Sequence, residues 1–351
     1  MRQYKNSKYK IPTPLRGVVE DISKCIYNSV NCQYSGEDIA TAIVVSAIQN
    51  RSIDAISVSP NPDTVFWRVY NGIDFGKLQR LVKTQRPPKG TNLKILIDGH
   101  DKMFHGEDAL GTVGTKPKDG SHSACKYLAA FSDSNPKGIV ALEELFDGSV
   151  TGDAQKLIEE LAKDYGIGLV IMDGEFYKAE FIKYLTDAGI DFVTRKTDTS
   201  KIRELKIPYN KPHLYKTDVK RPDGESITLH CWLYRYKGKD GDFYLASNMR
   251  MKANEMRKLY KTRWHIETGF RDINRVEIKT TTRDFLVRLF FYIVSCIVYN
   301  LWQKMRFRYN MFAIRLDEFV KGIKECVELS LFSAFDMAMN HRLRHIRLRF
   351  W

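Results

Sequence analysis

IGLVIMD at residues 167–173 is short, almost continuously apolar, and closed by an Asp that a Gly follows; LKILID at residues 93–98 repeats the design. Unbroken apolarity marks a strand buried on both faces, whereas alternation marks a strand with one wet face. Two such strands predict an open α/β sheet. Asp98 and Asp173 then stand at strand carboxyl ends, where Gly99 and Gly174 turn the chain away and where such sheets bind ligands. Taken singly, an Asp-Gly after a strand is a turn more often than a site. Two of them need a third partner to read as one.

That partner is offered by LYKTRWHIETGFRDINRV at residues 259–276. At about 100° per residue, Tyr260, Arg263, Trp264, Glu267, Arg271 and Asn274 share one face of a helix, and Thr262, Ile266, Gly269, Ile273 and Val276 take the back. A carboxylate ringed by arginines and aromatics is unusual on a cationic face. By itself the helix reads equally as a solvated one with Arg-Glu pairs at four-residue spacing.

Asp98, Asp173 and Glu267 in this order, with Glu267 inside Tyr260-x2-Arg263-x3-Glu267, resemble the DDE transposases of bacterial and archaeal insertion sequences. The resemblance spans residues 93–302, and the spacings of 75 and 94 residues suit a relative with an insertion between the second and third acids. It implies a ribonuclease-H-like fold. It also implies a site in which Asp98, Asp173 and Glu267 are catalytic and hold two Mg²⁺ ions, with Mn²⁺ as a substitute; Asp98 bridges both ions and the other two acids hold one each. Carboxylates are the hard oxygen ligands such ions need. Tyr260, Arg263 and Arg271 would position the DNA strand, and Trp264 would stack on a base. One position departs from the signature: Asn274 stands where the family has Lys. Either a neighbouring Arg has taken over the phosphate contact, or this copy has decayed.

Composition agrees with a polyanionic partner. The net charge is +14, yet residues 98–193 hold 18 acids against 9 Lys and no Arg, so the excess positive charge lies around an acidic centre. Cys25, Cys32, Cys125, Cys231, Cys296 and Cys326 include no C-x-x-C pair, which argues against a zinc site or a disulfide framework. The start, MRQYKNSKYK, has no apolar signal core, and residues 289–302 are too short an apolar run to span a bilayer. A cytoplasmic, nucleoid-associated protein without a membrane partner is expected.

Residues 1–90 read as a basic helical region, expected to fold and bind DNA alone. Within it, residues 36–50, a short SIDAISVS segment and residues 61–72 have helix-turn-helix spacing, with Asn61 as cap, Pro62 in the first turn, and Thr64, Trp67 and Arg68 facing DNA. A small helical bundle gives the same pattern. Residues 85–92 form a linker. Residues 91–302 are the expected catalytic domain, an α/β ribonuclease-H-like mixed sheet, with a long polar loop at 99–123 carrying His100, Asp101, His105, His122, Lys116 and Lys118. Strands at 124–132, 137–145 and 191–196 and helices at 151–166 and 175–189 give a β-β-β-α-β-α-β order. Residues 196–251 alternate and carry turn signals at 222–224 and 239–241, so they predict an antiparallel β insertion; Trp232, Tyr234 and Tyr236 either grip DNA or merely alternate in and out. Residues 303–351 form a basic helical end with Arg342, Arg344, Arg347 and Arg349.

The reading is a transposase that cuts and rejoins DNA at the ends of its element, acting as a homodimer on double-stranded DNA. The alternatives are a non-catalytic DNA-binding descendant and a metal-dependent nuclease without strand transfer.

Overall fold

The computed structural model describes residues 13–27, 32–56, 62–84, 88–106, 109–145, 150–220, 224–239 and 241–329. Asn61, Pro222, Asp223, Asp240, residues 85–87 of the linker and the four arginines of the C-terminal tail lie outside the described residues. In chain order the helices are α1 (Thr13–Ser23), α2 (Gly36–Gln49), α3 (Pro62–Gly72), α4 (Phe75–Thr84), α5 (Val150–Ala162), α6 (Ala179–Asp187), α7 (Ser200–Glu204), α8 (Ala253–Lys261), α9 (Trp264–Ile273), α10 (Phe285–Arg308) and α11 (Leu316–Leu329). The strands are β1 (Asn92–Phe104), β2 (Val113–Lys118), β3 (Ser121–Ser132), β4 (Gly138–Glu144), β5 (Gly166–Met172), β6 (Asp191–Lys196), β7 (Pro212–Lys220), β8 (Ser226–Lys237) and β9 (Asp242–Ser247).

Two compact units emerge, one from Arg86–His105 with Thr112–Gly269, the other from Met1–Gln85, Gly106–Gly111 and Phe270–Trp351. They cut across a division by chain order, because the C-terminal helices group with the N-terminal ones.

The first unit is one mixed sheet. Its strands run β2-β3-β1-β5-β6-β9-β8-β7, with β4 also paired to β3. Within it, β4-β3-β1-β5-β6 is consistent with the expected ribonuclease-H-like core: β1 pairs parallel with β5 and β5 with β6, while β3 pairs antiparallel with β1 and β4. Leu93, Ile95 and Ile97 on one face of β1 join Val170 and Met172 of β5 and Leu157, Ile158 and Leu161 of α5 in a buried cluster. Ile171 and Leu96 on the other face are equally enclosed. Burial on both faces is what the unbroken apolar runs demand. The β insertion is present as β7, β8 and β9, and it extends the same sheet through β6–β9 pairing.

One expectation fails in this unit, and one open alternative is decided. Residues 99–123 are no open loop: β1 continues through Gly99 to Phe104, and β2 and β3 follow as a hairpin. Gly and polar residues suggested a loop, but antiparallel pairing of β1 with β3, from Ile95–Ser132 to Phe104–Ser123, satisfies that backbone. Tyr234 and Tyr236 are fully buried, their hydroxyls donating to the carbonyls of Met249 and Ala253; they cannot grip DNA.

The second unit is helical. α2 begins in a capping box between Ser35 and Asp38 and is apolar all round, as befits a central helix. It packs against α1, α3, α10 and α11. α10 is capped by Asp284, whose carboxylate accepts from the Val287 N–H at 2.8 Å. At 24 residues α10 is longer than the apolar run suggested, and it is long and apolar enough to cross a membrane, but 89% of its most apolar window is buried inside the protein. Of the SIDAISVS segment, residues 52–56 are described and hold a 3-10 turn, Ile53–Ala55, while residues 57–59 lie outside the described residues. All five described cysteines are unbridged.

Candidate active site

Asp98 stands where β1 loses β5 as a neighbour. The last β1–β5 pair is Ile97 with Met172, and the next residue on β5's side is Asp173. The two acids therefore stand side by side where the β1–β5 pairing stops, Asp173 just past the end of β5 and Asp98 midway along β1, which runs on because β3 keeps pairing with it; the expected strand end at Asp98 is not there. Neither Gly works as a simple strand-ending turn. A Cβ on Gly99 would come within 3.3 Å of the Lys126 side chain and 3.7 Å of the Glu175 carboxylate, and one on Gly174 within 3.1 Å of the Arg195 carbonyl. Both glycines let other groups approach the acids. The Asp173 carbonyl accepts from the Thr194 hydroxyl at 2.8 Å, which ties the end of β5 to β6.

The 259–276 segment is two helices rather than one. Thr262 N–H bonds Leu259 O, Arg263 N–H bonds Tyr260 O, and His265 N–H bonds Thr262 O, all three residues apart. The Thr262 hydroxyl also donates to Leu259 O at 2.8 Å, a local bond that competes with helix continuation. The expected faces nevertheless survive: Ile266, Gly269, Ile273 and Val276 are buried, and Trp264, Arg271 and Asn274 are exposed. Glu267 and Tyr260 are half-buried.

Arg263 occupies the centre. Its guanidinium donates to Asp98 Oδ2 at 2.9 Å and to Glu267 Oε1 at 2.5 Å, with its side chain 15% exposed. Tyr260 Oη donates to Asp173 Oδ1 at 3.3 Å. Arg263 thus joins Asp98 to Glu267 and Tyr260 holds Asp173, with the Arg263 guanidinium 5.9 Å from the centre of the Tyr260 ring. Arg271 and Asn274 lie further along the chain and are exposed.

Burial pushes the Asp98 carboxyl up to about 7; Arg263 works against the rise, the Asp173 charge adds to it, the Gly99 N–H opposes it, and Glu175 adds again. Burial, then the Asp173 charge, pushes the Tyr260 hydroxyl up to about 12, so it remains a proton donor. For Arg263 burial opposes the charge, but Tyr260, Asp98, Glu267 and Asp173 together raise its value above the ordinary one. A buried acid held this high beside a second acid is short of positive charge. Hard oxygen donors in that condition fit a divalent cation, although among the described residues no three acids, histidines or cysteines stand together as a ready-made metal cage. Arg263 lies between Asp98 and Glu267 instead.

Elsewhere the candidates separate. His100 is buried on β1, and burial holds its imidazole well below the ordinary value. His105 and His122 are exposed, Asp101 accepts from the Thr115 hydroxyl at 3.3 Å, and Lys116 and Lys118 are exposed on β2. In α3, Trp67 is exposed and Thr64 half-buried, but Arg68 is only 4% exposed and its guanidinium reaches the Cys32 sulfur. Arg68 faces the helical core because Val65 and Val69, one turn apart with it, carry that face inward. It is not available to DNA.

Three residues near the acids were not singled out from sequence. Glu175 follows Asp173 by two positions in the 3-10 turn Gly174–Phe176. Arg195 is exposed at the end of β6, and its charge acts on Tyr260. Lys126 approaches from β3. A Glu two residues after a strand-ending Asp was a readable signal; Arg195 and Lys126 reach the site only through strand pairing.

Residues 149–301 match the family model described as Transposase DDE domain. No curated protein matches the sequence. Among solved structures, a cryo-EM structure of the piggyBac transposase synaptic complex with hairpin DNA is similar, with a TM-score of 0.62 at 14% identity, covering 98% of this chain and 87% of that one. The expected resemblance to DDE transposases is met by the family model over residues 149–301, and the likeness to the solved structure is one of fold.

Proposed function

We propose that this chain is a DDE transposase that cleaves DNA at the ends of an insertion sequence and joins the freed strand to a target, with Asp98, Asp173 and Glu267 as its catalytic acids. The observation that carries the reading is the bridge that Arg263 makes from Asp98 on β1 to the helix-borne Glu267, across 165 residues of sequence, with Asp173 at the end of the neighbouring strand. Asp98, Asp173 and Glu267 would hold two Mg²⁺ ions, or Mn²⁺ in their place. When bound, such ions supply activation of a water or 3′ hydroxyl and stabilise the leaving oxygen.

The remaining steps belong to the chain's own groups. Tyr260 keeps its proton and orients Asp173. Arg263 neutralises Asp98 and Glu267, and its guanidinium is the kind of planar donor that would also bind a phosphate. Arg195 and Arg271 add positive charge for the DNA backbone, and Trp264, 63% exposed, offers a face for stacking. The DNA acted on is double-stranded, in the cytoplasm, with two copies of the chain holding the two element ends.

A cleavage assay on an end-containing duplex, with Mg²⁺ or EDTA, tests this. Wild type should cut only with the metal, and Asp98→Asn, Asp173→Asn and Glu267→Gln should bind but not cut. Normal cutting by one variant removes that acid from the site. Binding without any cutting by wild type favours a non-catalytic descendant, the reading to which Asn274 in the signature Lys position lends weight.

A further inference from the structure

Asp133, immediately after β3, is a buried carboxylate in contact with three side chains from separate parts of the sheet unit. Its Oδ2 accepts from Lys94 Nζ at 2.7 Å, its Oδ1 accepts from Lys137 Nζ at 2.7 Å, and His265 Nδ1 lies 2.6 Å from the same Oδ1. Its own N–H donates to the Lys94 carbonyl at 3.0 Å. The side chain is 8% exposed. Burial works against its charge, but hydrogen bonds from Lys137 and Lys94 outweigh that and hold the carboxyl below the usual range.

His265 is the contact that reaches another part of the fold. It lies in the first turn of α9, between Arg263 and Glu267. Lys94 and Asp98 share a face of β1, four residues or about 13 Å apart. The first turn of α9 is therefore fastened to β1 at two points, through Arg263 to Asp98 and through His265 to the Asp133–Lys94 pair. The tight turn at Thr262 and Arg263 leaves α9 without a continuous helix to fix its direction. The two fastenings are not equivalent. The Arg263 one uses oxygens of Asp98 and Glu267, which a divalent ion would also claim. The His265 one uses none of the acids.

We propose that His265 and Asp133 are positioning residues: a clamp that keeps Glu267 in place against Asp98 and Asp173 when a divalent cation competes with Arg263 for their oxygens. The proposal rests on the reading of these acids as metal ligands. Lys94 and Lys137 keep Asp133 ionised and aimed at His265, so the clamp survives the loss of either lysine better than the loss of Asp133.

The test is Mn²⁺ binding to the full chain without DNA, by calorimetry, for wild type, His265→Ala, His265→Gln and Asp133→Asn, beside unfolding in EDTA and duplex binding. His265→Ala should weaken Mn²⁺ binding about tenfold, the usual scale for a residue that orients a ligand, and shift the metal dependence of cleavage to higher concentration while leaving the saturated rate within a few-fold. His265→Gln, which keeps an N–H donor, should recover most of the loss. Asp133→Asn should resemble His265→Ala. Unfolding in EDTA should be nearly unchanged for His265→Ala, whose side chain is 44% exposed in the wild type. Equal Mn²⁺ binding by wild type and His265→Ala overturns the clamp and leaves the active-site reading standing. Equal impairment of the Ala and Gln variants, with duplex binding lost, makes His265 a DNA contact and also overturns it. Absence of Mn²⁺ binding by wild type overturns the reading of the acids and the clamp with it.

Discussion

Asp98→Asn should make the metal-free protein more stable while destroying its ability to cut. The Asp98 carboxyl titrates at about 7 in the folded chain against an ordinary 3.8, so the folded form holds the proton more tightly than the unfolded one. Stability owed to the protonated acid is complete below about pH 3.8 and is lost as the pH rises to about 7. The full displacement corresponds to about 4 kcal/mol. Relaxation and water penetration lower real burial costs, and the Asn amide N–H₂ would face the donors of Arg263, so a gain of about 1–2 kcal/mol is expected at pH 8. The assay is urea unfolding in EDTA at pH 5, 6, 7 and 8 for both proteins. The advantage of the variant should be smallest at pH 5 and level off above pH 7. Mg²⁺ should reverse the order by stabilising wild type alone, by about 2.7 kcal/mol at a hundred times its dissociation constant. A difference independent of pH, or a less stable variant at pH 8, would refute the account of Asp98 as a carboxylate ionised against its surroundings.

Asp173→Asn and Glu267→Gln should lower Mg²⁺-dependent cleavage more than about a hundredfold, with duplex binding in EDTA equal to wild type or slightly tighter in a gel shift, since one negative charge near a polyanion is gone. Arg271→Ala should weaken end binding and flatten its salt dependence, whereas Asn274→Lys should strengthen binding at low salt; an Arg271→Ala protein with an unchanged salt slope would show that this Arg does not substitute for the signature Lys. Residues 1–90 expressed alone should lack a cooperative melt by circular dichroism, contrary to the expectation from charge and spacing, because α2 buries its apolar surface partly against α10 and α11. A sharp melt from that fragment would show that the N-terminal helices have a sufficient core of their own.

The legible part of the fold lies where burial leaves a chemical mark. β5 and the start of β1 are enclosed on both faces, so their apolar runs are unbroken, and β8 alternates because one face packs on α6 and the other leans on solvent or α8. The end of β1 and the β2–β3 hairpin were hidden because their strand character comes from pairing between residues such as His100 and Tyr127, a non-local property that polar composition masks. Arg68 was misread for a related reason. Its outward position was inferred from polarity, yet α3 turns the Val65, Arg68 and Val69 face inward and the guanidinium finds a sulfur partner there. The grouping of α10 with α1 to α4 was equally hidden, since chain order says nothing about which apolar faces meet.

The three acids could be nominated from sequence, because Asp98 and Asp173 each close an unbroken apolar run and Glu267 lies on a patterned helix face, although β1 runs on past Asp98. What joins them is less accessible. A four-residue spacing predicts the Arg263–Glu267 pair, and an isolated helix would stop there with a surface interaction worth little. The same guanidinium reaching Asp98 turns that pair into a bridge between β1 and α9. This bridge has opposite effects on the site. It relieves the repulsion that burial and Asp173 impose on Asp98, and it occupies the oxygens that a divalent ion would use. A cation on a side chain can leave by a rotamer change without exposing the sheet, so Arg263 can serve as a resident counter-charge that yields to metal and DNA together. That exchange requires α9 to stay in place while its strongest contact changes partners, which is the physical reason for a second anchor at His265.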